Sequence, residues 1–353
     1  MNFISDKAAS ITPYTPGEQP KLANLIKLNT NENPYPPAAN VIKAIQDAAA
    51  QLHLYPDPAF TQLREAAASF YKVAPEHIFA GNGSDEVLAL AFLALFNPND
   101  EPILFPDITY SFYPVYAQLY NIAYRRVALD AEFKIVTQDY CTPNGGVLLA
   151  NPNAPTGIYK PLEEIIPILE YNLARNRVVV LDEAYIAFGG QSATALIKQY
   201  PNLLVVTTLS KSHSLAGLRV GFAFGQPHLI AALEAIKNSF NSYPISRTGQ
   251  AGAAAALWDG TTFATNLQNI LTARNYFVQQ VQQLGFTVLP SAANFVFMQH
   301  NTMPAAQLFN QLRKRNILMR HFPSARTENF LRITIGTMEE MVFVASQLKE
   351  ITL

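Results

Sequence analysis

The stretch LLVVTTLSKSHSLAGLRVGFAF, residues 203–224, decides how the chain is read. Two apolar, strand-like runs, LLVVTT (203–208) and RVGFAF (219–224), flank a loop of small and hydroxyl residues. Lys211 sits in that loop between two serines, and Arg219 follows eight positions later. An ordinary surface lysine needs no such neighbours. A run that is apolar throughout predicts a strand buried on both faces, as in a parallel sheet. The same texture recurs upstream, in HIFA (77–80), PILF (102–105), AYRRVAL (123–129), VLLA (147–150) and RVVVLD (177–182). Segments of helical spacing such as DEVLALAFLALF and LEEIIPILEYNLARN lie between them. This alternation predicts an α/β fold with a mainly parallel, doubly wound sheet.

Beyond residue 225 the texture changes. A long helical stretch from Thr262 to about Leu284 precedes FTVLP and NFVFM, then a helix over 304–315, the runs ILMRHF and FLRITI, and a final helix from Met338. These predict a smaller C-terminal α+β domain. The expected division is an N-terminal arm (1–30) without a core of its own, a large domain (31–245) and a small domain (246–353).

Composition narrows the function. Of 353 residues 49% are hydrophobic, enough for a sizeable core, and 25 basic residues nearly balance 26 acidic ones. With no basic run, neither nucleic acid nor a membrane surface is an expected partner. The single cysteine, Cys141, excludes an internal disulfide framework and has no metal-ligand cluster beside it, so no metal is expected. The N-terminus lacks the pattern of a signal peptide, and VLALAFLALF (87–96) is too short to span a bilayer. A cytoplasmic location is expected.

In open α/β sheets ligands bind beyond the carboxyl ends of the strands, so the residues after each strand carry the chemistry. GNGSDE (81–86) follows HIFA: Gly83, Ser84 and Asp85 form either a plain strand–helix turn or a backbone cradle for an anion. Tyr110, in PDITYSFY, offers a flat face or simply packs. NPNAPTG (151–157), with Asn153, makes a rigid turn under either reading. Asp182 ends an all-apolar strand; such a carboxylate pairs either with a structural cation or with a protonated ring nitrogen, and Tyr185 lies three residues on. Lys211 is either a plain surface lysine or, in a partly buried, cation-rich pocket, a usable amine nucleophile, and Arg219 either ties to a nearby carboxylate or, with Ser210, suits a phosphate. Jointly these describe one ligand, a flat phosphorylated pyridine bearing an aldehyde. That is pyridoxal 5′-phosphate, for which a Schiff-base lysine and an acidic partner for the ring nitrogen are the protein's devices. No G-x-G-x-x-G opens a helix, as a dinucleotide fold would require.

Over essentially its whole length the chain resembles the histidinol-phosphate aminotransferases, a family of fold-type I pyridoxal-phosphate enzymes. The carriers are LNTNENPYPP (28–37), LYPD (54–57), GNGSDE, NPNAPTG, DEAYIAF, TLSKSHSLAGLRVGF and LRITIGT (331–337). The resemblance implies that Lys211 bonds the cofactor aldehyde and later moves a proton, and that Asp182 keeps the ring nitrogen protonated. It implies that Tyr185 donates to the ring oxygen, that Tyr110 stacks on the ring, and that Ser210, Arg219 and the amides of Ser84 and Asp85 hold the phosphate. Tyr55 matches a tyrosine that reaches the neighbouring subunit's phosphate, which implies a homodimer with shared sites. Arg332 and Arg320 match arginines that bind substrate anions, the latter the substrate phosphate, and Tyr14 and Asn31 match pocket-lining positions. The family commonly has asparagine where this chain has Ala154; either Asn153 substitutes or Tyr185 acts alone.

The activity implied is transamination between L-histidinol phosphate and 2-oxoglutarate. An aromatic amino-acid aminotransferase or a threonine-phosphate decarboxylase shares most of these motifs. A cofactor-binding regulatory module would need a fused DNA-binding domain, for which no residues remain.

Overall fold

The computed structural model describes residues 3–21 and 24–352. Its strands, in chain order, are β1 (Ile26–Lys27), β2 (Ile78–Gly81), β3 (Ile103–Pro106), β4 (Tyr124–Val127), β5 (Val147–Ala150), β6 (Val179–Asp182), β7 (Leu203–Thr208), β8 (Gly221–Phe224), β9 (Phe286–Val288), β10 (Phe295–His300), β11 (Ile317–Leu318), β12 (Arg320–His321) and β13 (Leu331–Thr334). Seven of them form one sheet in the order β2-β8-β7-β6-β5-β3-β4. Only β8 runs antiparallel to its neighbours there, so the sheet is mainly parallel.

The apolar runs explain why this sheet is central. Successive side chains point to opposite faces. Val147, Leu149, Val179, Leu181, Leu203 and Val205 enter one core, with Leu63, Ile165 and Leu169 from the helices Thr61–Tyr71 and Leu162–Leu173. Leu148, Ala150, Val180, Leu204 and Val206 enter the other, against the helices Gly83–Leu95, Tyr113–Tyr120 and Pro227–Phe240. Both faces are dry, and each fully buried side chain of this size contributes about 1.5–3 kcal/mol. The strand ends are thereby rigid mounts.

β12, β13, β10 and β9 form a separate antiparallel sheet. Val296, Met298 and Ile333 pack there with Ile270, Phe277 and Val344 from the helices Gly260–Gln283 and Met338–Thr352. Three features refine the expected organisation. The boundary expected at residue 246 falls inside the packing of the first core, because Arg247–Trp258 buries Ala253, Ala254 and Leu257 in it. The arm is tied down at its end: β1 pairs in parallel with β11, and Leu28 is buried in the core of the second unit. ILMRHF is two strands, β11 and β12, which pair in different sheets. Among the described residues no helix is long and apolar enough to cross a membrane.

Candidate active site

The carboxyl ends of β5, β6 and β7 meet two adjoining cavities of about 100 and 140 Å³ that share Tyr110, Ala154, Tyr185 and Lys211 on their walls. The inner cavity is also lined by Ser84, Asp85, Asp182, Thr208, Ser210 and Arg219. The outer one is lined by Tyr14, Thr30, Asn31, Arg320, Phe322 and Arg332. Residues separated by more than three hundred positions thus surround one lysine.

Asp182 closes β6, between Ala150 on β5 and Val206 on β7. Tyr113 Oη donates to its Oδ2 at 2.9 Å and the Ala184 amide to its Oδ1 at 3.2 Å. Burial outweighs these bonds and pushes the carboxyl up to about 6. A buried acid so held favours a cationic partner, which a protonated ring nitrogen supplies.

β7 delivers Lys211 through a single turn, Leu209–Ser212, whose start is capped by Thr208 Oγ1 accepting from the Ser210 amide at 3.1 Å. Lys211 Nζ donates to the Thr30 carbonyl at 3.1 Å and lies 5.9 Å from the centre of the Tyr185 ring. Arg219 was expected to start β8. Instead it holds a left-handed backbone, φ 57°, two residues before that strand, and its guanidinium turns back to Ser210 Oγ at 3.4 Å and Asp85 Oδ2 at 3.0 Å. Gly83, at φ 80°, lies so close beneath that a Cβ would sit 2.4 Å from Arg219 Nη2; a Cβ on Gly221 would sit 2.5 Å from the Ser84 amide nitrogen. Both glycines therefore hold the helix N-terminus against the arginine. That helix begins at Gly83, so Ser84 and Asp85 lie within its first turn rather than capping it. Tyr110 Oη donates to Asp85 Oδ1 at 2.7 Å, which fixes its ring beside the cavity.

Asn153 does not reach the cavity. Its amide donates to the Ile108 carbonyl and Thr156 Oγ1, and its oxygen accepts from Thr109 Oγ1 at 2.8 Å, so the turn consumes its side chain. Ala154 faces the cavity in its place. Tyr55 also lies outside the pocket of its own chain: it is 79% exposed and stacks on Tyr243 with ring centres 4.8 Å apart.

Arg332 on β13 donates to the Asn29 carbonyl at 2.9 Å, while its buried Nε has no partner. Burial works against its charge. Arg320, opposite it in the β12–β13 register, lies 5.8 Å from the Phe322 ring centre. Among the described residues no carboxylate lines the outer cavity. Tyr14 covers it from the arm, stacked on Phe112 at 4.4 Å.

Several contributors escaped sequence reading. Tyr113 had a signal, its i,i+3 spacing from Tyr110 at a helix start. Thr30 acts through its carbonyl, which leaves no side-chain signature. His213 is buried against Phe263, ring centres 4.6 Å apart, and burial pushes it down to about 3. It packs rather than moving protons.

This pocket, at the ends of a mainly parallel seven-stranded sheet and roofed by a smaller antiparallel unit, defines a transferase of the aminotransferase type. The family model described as Aminotransferase class I and II matches residues 23–348. The chain is 52% identical over 355 residues to histidinol-phosphate aminotransferase 2 of Dechloromonas aromatica, covering 99% of each. It is 53% identical over 339 residues to histidinol-phosphate aminotransferase 1 of Pseudomonas aeruginosa, covering 96% of each. The chain belongs to the histidinol-phosphate aminotransferases of the class I and II family. The fold of the Sinorhizobium meliloti histidinol-phosphate aminotransferase, solved with pyridoxal 5′-phosphate, superposes with a TM-score of 0.88 at 24% identity, covering 100% of this chain and 98% of that one.

The residues present fit that cofactor. A buried carboxylate without an ion-pair partner among the described residues, a lysine hydrogen-bonded to a carbonyl, and a glycine-lined helix terminus beside an arginine match the ring nitrogen, aldehyde and phosphate respectively.

Proposed function

We propose that the protein transfers the amino group of L-histidinol phosphate to 2-oxoglutarate, giving imidazole acetol phosphate and glutamate in histidine biosynthesis, with pyridoxal 5′-phosphate as cofactor. When bound, the cofactor supplies an aldehyde for the amino group and a ring that accepts charge from the substrate Cα. Lys211 would hold the aldehyde and then carry a proton from Cα on its Nζ. Asp182 would accept the ring N–H. Ser210, Arg219, Gly83 and the amides of Ser84 and Asp85 would anchor the phosphate, Tyr110 would cover one ring face, and Tyr185 would donate to the ring oxygen. Asn153 is left out of this set because the turn uses its side chain.

The observation that carries the substrate is the pair Arg320 and Arg332 on a cavity wall free of carboxylates among the described residues, with Lys211 on the same wall. Two guanidinium groups suit a phosphate monoester at one half-reaction and a dicarboxylate at the other. Tyr14 and Asn31 close the pocket around them. The exposure of Tyr55, away from its own pocket, supports a homodimer in which it reaches the partner's site. The lone, half-buried Cys141 is compatible with a reducing cytoplasm.

The test is a half-reaction. Holoenzyme is mixed separately with histidinol phosphate, phenylalanine and threonine phosphate, and the cofactor absorbance is followed. Conversion to the amine form by histidinol phosphate, lost in Arg320→Ala, is the expected result. Conversion by phenylalanine alone, or carbon dioxide release from threonine phosphate, would sink the substrate assignment. Equal volumes of inactive Tyr55→Ala and Lys211→Ala proteins regain activity on mixing if sites are shared.

A further inference from the structure

Three consecutive arm residues each hold one side chain of the pocket. The Asn29 carbonyl accepts from Arg332 at 2.9 Å, the Thr30 carbonyl from Lys211 Nζ at 3.1 Å, and Asn31 Nδ2 donates to Tyr185 Oη at 2.9 Å. Asn31 is itself fixed on every side. Its backbone N–H donates to Thr334 Oγ1 at 3.0 Å, and that hydroxyl donates to Asn31 Oδ1 at 3.0 Å. Asn294 Nδ2 donates to its carbonyl at 3.0 Å. The residue is 1% exposed and sits at φ 55°, a conformation that asparagine tolerates better than most residues.

The direction of this chain matters. Because Asn31 fills an acceptor site on the Tyr185 oxygen, the phenolic proton stays free, and among the described residues no bond takes it. The tyrosine is thereby aimed as a donor into the cavity. Elsewhere in the family an asparagine at the position of Ala154 shares the work of donating to the ring oxygen. In this chain that amide is absent, and Asn153 is spent on its turn. The remaining amide at this corner of the pocket comes from the arm.

We propose that Asn31 is a positioning residue that orients Tyr185 and makes it the stronger donor, in compensation for alanine at 154, with Thr334 setting its orientation from the strand that carries Arg332. This rests on the cofactor reading above. A donor at the ring oxygen holds negative charge there and so lowers the basicity of the nitrogen that Lys211 contributes. Weakening the donor raises the pH at which the bound cofactor changes colour.

The readout is therefore a spectroscopic pH titration of substrate-free holoenzyme, which does not depend on the identity of the substrate. Asn31→Gly deletes the amide without straining the left-handed backbone, and the midpoint is expected to rise by about 0.5–1 pH unit, the size of one hydrogen bond. Tyr185→Phe raises it at least as much, and the double variant matches Tyr185→Phe alone, because Asn31 acts through that hydroxyl. Adding Ala154→Asn to Asn31→Gly brings the midpoint back. Thr334→Val gives a smaller rise, and Thr334→Ser leaves the midpoint in place. A wild-type midpoint in cofactor-loaded Asn31→Gly, or a shift that adds fully to that of Tyr185→Phe, overturns the proposal. Should Asn31→Gly fail to fold, a wild-type midpoint in Thr334→Val overturns it instead. A wild-type chain with no cofactor band at any pH would refute the cofactor reading, a separate failure.

Discussion

Asp182, Ser210, Lys211 and Arg219 project from one continuous sheet, whereas Tyr14, Asn31, Arg320 and Arg332 come from an arm and a second sheet that shares no strand with the first. The two halves also handle charge differently. On the first, Arg219 is already paired with Asp85, and Asp182 is bonded to Tyr113 and a backbone amide. On the second, two arginines line a cavity that no carboxylate lines among the described residues, and one keeps a buried unpaired Nε. On the permanent ligand's half the chain itself pairs Arg219 and hydrogen-bonds Asp182, leaving that carboxylate's cation to the ligand. The half that must bind and release leaves its charge for the visitor to complete.

Substitutions separate the halves. Lys211→Ala removes the bonding amine and the proton carrier together, so steady-state turnover should fall by at least about 10⁴-fold for every amino donor alike. Arg332→Ala leaves cofactor binding, followed by absorbance, as it was, while kcat/KM falls on the order of 10²–10³-fold for both substrates. Comparable losses with and without anionic substrates would erase the distinction between halves. Arg320→Lys keeps the charge but loses the planar fork, and should cost about tenfold with histidinol phosphate and nothing with phenylalanine.

The smallest effect concerns the permanent ligand's half. Burial pushes Asp182 up to about 6 and the neighbouring Glu183, with Asp182 adding to the effect, up to about 7. Both native carboxyls hold protons that the unfolded chain has already released. Their contribution is thus complete below the unfolded values and is lost as pH rises through about 6 and 7. The melting temperature of cofactor-free protein should decline over that window by a few degrees. Glu183→Gln, which keeps partners in Ser192 and the Ala193 amide, should flatten the upper part of the decline. Cofactor binding, which gives Asp182 a cation, should flatten the lower part.

The same division governs what was legible beforehand. β5 and β7 have the limits that their apolar runs predicted, because a strand buried on both faces writes itself locally. Ser210 and Lys211 follow from β7 at once, and Asp182 from the end of β6. The roof depends on distant pairing, which no local run encodes. ILMRHF reads as one strand, yet Met319 divides it because its halves pair with β1 and β13. The carbonyls of Asn29 and Thr30 touch Arg332 and Lys211 without any side-chain pattern. Asn153 looked available because a turn asparagine and a ligand asparagine are identical in sequence; only its three bonds distinguish them.

The antiparallel placement of β8 beside β7 has a metric consequence. Thr208 faces Gly221 across that pair, so the loop joining them leaves and returns at one spot on the sheet edge. Lys211 lies near one end of this loop and Arg219 near the other, so the proposed covalent anchor and the proposed phosphate clamp belong to a single gauge whose span the pairing sets. Gly217, on the loop's exposed outer side, has open space where a Cβ would sit. The loop's length is constrained: an inserted residue would change the distance between two grips on one rigid molecule.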